Sequence, residues 1–295
     1  MATEITVKTI LNHVKQPDPW FGLKYNMNLY RGCQHQCIYC DSRSTCYRLG
    51  NLADIRVKVN ALELLADALP RKRVVGTIGF GSMNDPYMPV EKEYRLTRGA
   101  LEIIQQQQFP VHIMTKSDLV LRDLDLLENI NSIYGAVSFT ITTADDELAK
   151  KLEPGAPLPS IRFRAMRILA RSGILTGVTM MPILPFLEDD PDNIRQIVRK
   201  TRDQGGTYII PAFGMTLRPG SRDFYYQKLD KHFPGLKEKY IKAFGENYQC
   251  SVPNWRQLNG IFQEEINQAG IVSKIPVFEP QIAKGKSNQM SFFGD

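Results

Sequence analysis

A chain of 295 residues, 43% hydrophobic and 23% charged, has ordinary globular composition and enough material for one large α/β barrel or two small domains around a sizeable core. Five cysteines are an odd number, the start Met-Ala-Thr-Glu-Ile-Thr-Val-Lys lacks a basic-then-apolar leader, and no run approaches a membrane span; the expectation is a cytoplasmic protein without a disulfide framework. The formal charge of +6 and pI near 9.0 permit an acidic partner such as nucleic acid, with the basic residues spread along the chain.

Residues 1–22 read as a lead-in that ends in Pro17-Asp18-Pro19-Trp20-Phe21-Gly22, a turn with exposed aromatics. Tyr25 to Tyr30 alternates as a first strand and runs into a cysteine-bearing loop. Leu62, Leu65, Ala66 and Leu69 then share a helix face that stops at Pro70. Val74 to Phe80 reads as a second strand, followed by a helix marked by Leu96, Ala100, Ile103 and Ile104. Val111 to Thr115 is a third, and its helix, Leu121 to Ile130, has Ser117 or Asp118 as a cap. Tyr134 to Thr142 is a fourth, with a helix from about Ser160 to Ser172; Leu175 to Met181 is a fifth. Ile194, Ile197, Val198 and Thr201 mark the next helix, and Tyr208 to Phe213 the sixth strand.

Six strands separated by helices imply a parallel sheet with right-handed crossovers, and at this level an open doubly wound sheet and a barrel look alike. After residue 215 the rhythm breaks into aromatics interleaved with lysines, which reads as an α-rich C-terminal cap over 216–283, followed by a flexible tail over 284–295.

The loop itself, Asn28 to Asp41, carries Cys33, Cys37 and Cys40 as C-x3-C-x2-C behind Arg31-Gly32. Three thiolates so close in sequence can converge on one soft metal centre, and thiolate is the ligand that iron–sulfur clusters select. A four-iron cube held by three cysteines keeps one iron open to a non-protein ligand. Zinc would need a fourth donor, from Cys46 or His35, and the paired C-x2-C spacing of zinc knuckles is missing.

With Tyr39 just before the third cysteine, this loop resembles the signature of the radical SAM enzymes. The resemblance implies a partial (β/α)6 TIM-like barrel, a [4Fe-4S] cluster on Cys33, Cys37 and Cys40, and S-adenosyl-L-methionine on the open iron, cleaved reductively to a hydrogen-abstracting 5′-deoxyadenosyl radical. It also implies an electron donor such as flavodoxin or ferredoxin. Active sites of such barrels gather at the carboxyl ends of the strands. There, Gly79-Phe80-Gly81-Ser82-Met83-Asn84-Asp85 lets backbone approach the methionyl end of the cofactor, with Ser82, Asn84 and Asp85 as contacts; a dinucleotide loop would need a third glycine and an immediate helix. Lys116 is placed to pair with the cofactor carboxylate. Ser138, Thr140 and Thr142 share one strand face and suggest a liganded lumen, unless they bond only to neighbouring backbone. Arg162 is a further candidate for ribose or carboxylate, or else one of a solvated row with Arg164, Arg167 and Arg171.

Tyr30-Arg31-Gly32-Cys33, Asn84-Asp85-Pro86-Tyr87-x-Pro89-x-Glu91, Thr115-Lys116-Ser117, and Thr140-Ile141-Thr142-Thr143 with Glu153-Pro154 are similar to the spore photoproduct lyase group of that superfamily, over about Tyr25 to Gly220. That implies hydrogen abstraction from DNA and a cysteine near the end of the second strand that returns the hydrogen. Gly81-Ser82-Met83-Asn84 has no cysteine, and a serine O–H bond is too strong to substitute, so the expected donors move to Cys46, Tyr87 or Cys250. A radical enzyme acting on a small molecule or peptide, and a non-catalytic iron–sulfur or zinc protein that binds nucleic acid, are the alternatives. In the tail, Gln289-Met290-Ser291-Phe292-Phe293 resembles the peptide by which bacterial DNA-repair proteins dock onto the replication sliding clamp; the same aromatics could instead pack against the barrel.

Overall fold

Six parallel strands carry the molecule: β1 (Tyr25–Met27), β2 (Ile78–Phe80), β3 (Val111–Thr115), β4 (Gly135–Thr140), β5 (Leu175–Met180) and β6 (Tyr208–Pro211). They lie side by side in chain order, with the strand Leu11–His13 antiparallel on the outer edge of β1. The computed structural model describes residues 2–15, 18 and 20–280. Helices α1 (Ala61–Ala68), α2 (Leu96–Gln106), α3 (Leu124–Ile130), α4 (Pro159–Arg171) and α5 (Pro191–Asp203) fill the five crossovers, so the architecture is a partial (β/α)6 barrel.

Local chemistry sets these elements. Pro159 and Pro191 open α4 and α5, where a missing N–H costs nothing, and Asp190 accepts from the Asp192 amide at 3.2 Å. Ile194, Ile197, Val198 and Thr201 form the buried face of α5, at the spacing expected. On β4, Val137 and Phe139 enter the main core beneath the helices while Ser138 takes the opposite, lumen face. Several expected elements are shorter, the first strand among them, which ends at Met27 instead of Tyr30. The second strand is only Ile78–Phe80, because β1 offers partners just to those residues, and Val74 and Val75 are exposed. The helix expected from Leu121 begins as a 3-10 turn over Asp118–Asp123, with the Ser117 hydroxyl accepting from the Leu119 amide at 3.2 Å.

A small sheet of Thr3–Ile5, Arg56–Lys58 and Tyr30–Arg31 anchors the chain where it enters the cysteine loop. Gly32 there has φ 80°, and a Cβ would come within 2.8 Å of the Leu52 and Asp54 carbonyl oxygens. After β6, β7 (Gly214–Thr216) pairs antiparallel with β8 (Gln249–Ser251), and α6 (Ser221–His232) and α7 (Leu236–Phe244) lie between them in sequence. α8 (Trp255–Ala269) returns to α5, fastened by Arg199 to Glu265 at 2.9 and 3.1 Å. On the underside of the barrel, Val277 presses on Gly22 and the Tyr134 hydroxyl donates to the Pro276 carbonyl at 2.8 Å. The tail over 284–295, including Gln289 to Phe293, lies outside the described residues. Among the described residues no helix is long and apolar enough to cross a membrane.

Candidate active site around the cysteine loop

The lumen has a sealed floor and an open mouth. At the floor, Gly177 on β5 lacks the Cβ that would collide with the Tyr208 ring at 2.6 Å, so the ring crosses β5 and its hydroxyl reaches Ser138 Oγ at 2.7 Å. Ser138 also bonds His112 Nε2 at 2.7 Å, and Phe21 covers the imidazole with ring centroids 5.3 Å apart. Burial pushes the His112 imidazole down to about 3. Above this layer, at the carboxyl ends of the strands, opens a cavity of about 730 Å³.

Cys33, Cys37 and Cys40 all line that cavity, all as free thiols. Burial, then the nearby Asp85 charge, pushes the Cys33 thiol up to about 12, and burial raises Cys37 too; a bound metal cation reverses such a penalty. Among the described residues no three His, Cys, Asp or Glu donors gather tightly enough for a single metal ion. Three thiols from one short loop in one cavity are the donor chemistry that an iron–sulfur centre takes.

Other expected residues meet them there. Asp85 accepts from the Thr115 hydroxyl at 2.7 Å, the Lys116 amide at 2.6 Å and the Tyr87 amide at 2.9 Å. Burial opposes its charge, but His35 and these bonds prevail and hold the carboxyl at about 2. Its acceptors are thus largely spent on joining the end of β3 to the loop that follows β2. His35 Nδ1 lies 3.3 Å from the same carboxylate, an ion-pair contact, while neither nitrogen of this buried ring has a hydrogen-bond partner among the described residues. Asn84 lines the cavity while its amide donates to the Tyr30 carbonyl at 2.5 Å. Ser82 is exposed at the mouth and bonds Asn26 at 2.9 Å. Thr140 faces the cavity and accepts from Thr179 Oγ1 at 3.0 Å.

Lys116 reaches the cavity from the end of β3, its Nζ 3.7 Å from Glu153 Oε1 and 5.8 Å from the Tyr39 ring centroid. Burial works against its charge, yet Cys37 and Glu153 outweigh burial and raise its pKa. Tyr39 lines the cavity and donates its hydroxyl to Glu153.

Four expected site residues stand elsewhere. Arg162 is buried and fully engaged, donating to the Pro157 and Thr140 carbonyls at 2.8 Å each and pairing with Glu153. Ser138 is sealed in the floor. Tyr87 turns away after Pro86, and its hydroxyl donates to Asp123 at 3.1 Å outside the cavity. Cys46 is exposed on a 3-10 turn, 3.2 Å from an Arg218 nitrogen, whereas Cys250 on β8 lines the cavity. Sequence reasoning had no role for Glu153, although Glu153-Pro154 stood among its motifs, and it passed over Glu188. That carboxyl accepts from the Thr142 hydroxyl at 2.6 Å and the Leu184 amide at 2.9 Å, and burial pushes it up to about 8. At the rim, Arg218 lies 5.6 Å from the Tyr47 ring centroid and 4.7 Å from that of exposed Tyr248, donating to the Tyr248 hydroxyl at 2.6 Å.

Comparison with known proteins fits this geometry. An uncharacterized protein of Methanocaldococcus jannaschii is 34% identical over 78% of this chain and 83% of its own length. The Radical SAM Nalpha-GlyT isomerase of Pseudomonas phage M6 is 25% identical over 73% of this chain and 44% of its own. A spore photoproduct lyase variant with bound AdoMet and dinucleoside spore photoproduct superposes with a TM-score of 0.70 at 18% identity, over 93% of this chain and 82% of that one, which is a likeness of fold. The model of the radical SAM superfamily matches residues 27–206, and the chain is a radical SAM enzyme.

Proposed function

We propose that Cys33, Cys37 and Cys40 hold a [4Fe-4S] cluster, that S-adenosylmethionine binds in the cavity they line, and that the substrate is nucleic acid. The observation that carries the cofactor reading is the meeting of three free thiols from one loop with the Lys116 ammonium in one cavity. Bound there, the two groups supply reductive sulfonium cleavage and hydrogen abstraction from a substrate. The chain's part is to hold and orient them. Lys116 is available to a carboxylate, and Tyr39 offers an aromatic face fixed by its bond to Glu153. The Phe21 and Met114 side chains close the cavity toward the floor. The nucleic-acid reading is supported by the Tyr47–Arg218–Tyr248 rim, since aromatic faces and a guanidinium are what unstacked bases stack upon. The dinucleoside spore photoproduct bound by the lyase of similar fold points the same way.

Anaerobic loading with iron, sulfide, S-adenosylmethionine and dithionite is expected to yield 5′-deoxyadenosine. Cys33→Ala, Cys37→Ala or Cys40→Ala should abolish it together with the bound iron. Lys116→Ala should weaken S-adenosylmethionine binding about ten- to a hundredfold, the equivalent of a charge-assisted bond of about 1.5–3 kcal/mol. A fully iron-loaded protein that forms no 5′-deoxyadenosine would overturn the reading. Single-stranded DNA should bind with affinity that falls steeply with salt. One observation favours a second substrate class: β7 and β8 wall the cavity, whose 730 Å³ is in the range of small-ligand sites. Cofactor cleavage without DNA affinity would select a small molecule.

A further inference from the structure

Behind the cysteine loop, on the side away from the cavity, the helix Asp146–Leu152 and α6 meet. The Ile38 amide donates to the Leu152 carbonyl at 2.8 Å, and Cys37 and Ile38 share an apolar cluster with Leu152, Tyr225 and Leu229. Four cations gather over this layer. Arg43 leaves the end of the loop with its Nε 3.5 Å from the Cys37 carbonyl and its guanidinium 3.7 Å over the Phe224 ring. Lys228 Nζ lies 5.1 Å over the same ring, and Lys151 Nζ 5.7 Å over Phe233. Partial desolvation, then the charges of Lys231, Lys228 and Lys151, holds His232 below the ordinary imidazole range, which marks these lysines as one patch. Of the neighbouring acids, Glu147 pairs with Lys150 and Asp230 with Lys237. Among the described residues, none of Arg43, Lys151, Lys228 and Lys231 forms a salt bridge with a carboxylate.

Resting on the cofactor assignment above, we propose that this strip of Arg43, Lys151, Lys228 and Lys231 docks a small acidic electron-carrier protein, which reduces the metal centre through the back of the cysteine loop. The front of the loop opens on a cavity that must hold cofactor and substrate, which leaves the back as the short route for charge. One electron passes from the reduced carrier to the centre, the carrier is oxidised by one electron, and no bond or proton changes place. Such encounters are small, brief and steered by opposite charge, which an uncompensated basic strip supplies without a deep apolar groove.

The probe is an acidic flavodoxin, with its affinity for the cluster-loaded full chain measured by biolayer interferometry across a salt series. Lys228→Glu with Lys231→Glu is expected to weaken binding at least about tenfold, and the matched reversal on α4, Arg164→Glu with Arg171→Glu, to change it less than about twofold. With dithionite as reductant both variants should form 5′-deoxyadenosine like the unaltered protein, while with flavodoxin only the α6 variant should fall. Unchanged flavodoxin affinity in the α6 variant, or equal loss in the α4 variant, overturns the proposal. So does an α6 variant that loses single-stranded DNA and keeps flavodoxin, which would make the strip a phosphate-backbone surface. Failure of dithionite itself with the unaltered protein would strike the cofactor assignment, whereas failure of docking alone would leave that assignment intact.

Discussion

Ser138 and Thr140 sit two residues apart on the same face of β4, yet one is closed within the floor by His112 and Tyr208 and the other looks into the cavity. The same pairing recurs on β3, where His112 is sealed and Met114 and Lys116 are open. At the floor, Ser138, His112 Nε2 and the Tyr208 hydroxyl bond to one another and act as structure, although His112 Nδ1 has no partner among the described residues. Polar groups at the mouth keep part of their capacity for a ligand. Period-two alternation says which face a side chain takes, and only the third dimension says how deep it lies.

The strongest challenge to this division comes from Glu153, which belongs to both regions. Buried, it takes Arg162 from behind while Lys116 and Tyr39 approach from the cavity side. Glu153→Ala should strand the buried Arg162 guanidinium and cost about 3–5 kcal/mol in denaturant unfolding. A variant of near-normal stability that merely binds cofactor less well would show that Glu153 belongs to the mouth alone.

A smaller effect sharpens the same boundary. Ser138→Ala removes one partner from both His112 and Tyr208, and should cost about 1–3 kcal/mol of stability with cofactor affinity unchanged. Thr140→Val should do the reverse, changing ligand binding more than the thermal midpoint. Ser138→Ala that alters binding at constant stability would erase the distinction between floor and mouth.

A pH-dependent effect is expected from Glu188, a buried carboxyl that forms no salt bridge among the described residues. Its folded pKa of about 8 lies above the 4.5 of the free side chain, so folding favours the protonated form. Its stabilising contribution is complete below about pH 4.5 and is lost as pH rises through about 8. Glu188→Gln should flatten the stability profile across that window, with its gain greatest toward the upper end. A profile that keeps its slope after substitution would place the titration elsewhere.

Much of this was legible beforehand. The strand–helix alternation, the apolar face of α5 and the cysteine loop all rest on short-range patterns, and spacing along the chain records those directly. What stayed hidden depends on contacts between distant segments. Cys46 follows the cluster motif closely, yet a tight turn leaves it outside, while Cys250, far away in sequence, is carried in by pairing of β8 with β7. Arg162 had the chemistry to hold a cofactor, but Glu153 and two carbonyls claim it first. Tyr87 belongs to a motif whose preceding Asp85 faces inward, and its own ring faces out.

Where Val277 meets Gly22 and Tyr134 holds Pro276, the chain runs past the amino-terminal end of β4, at the pole of the barrel opposite the mouth. Pro276, Val277 and Phe278 therefore lie at the blunt pole. A protein tethered by that end to a bead, a surface or a moving assembly presents its mouth outward while the anchor bears the load. Single-molecule work on this enzyme has a natural handle there, and attachment at Tyr248, on the rim, would not be equivalent.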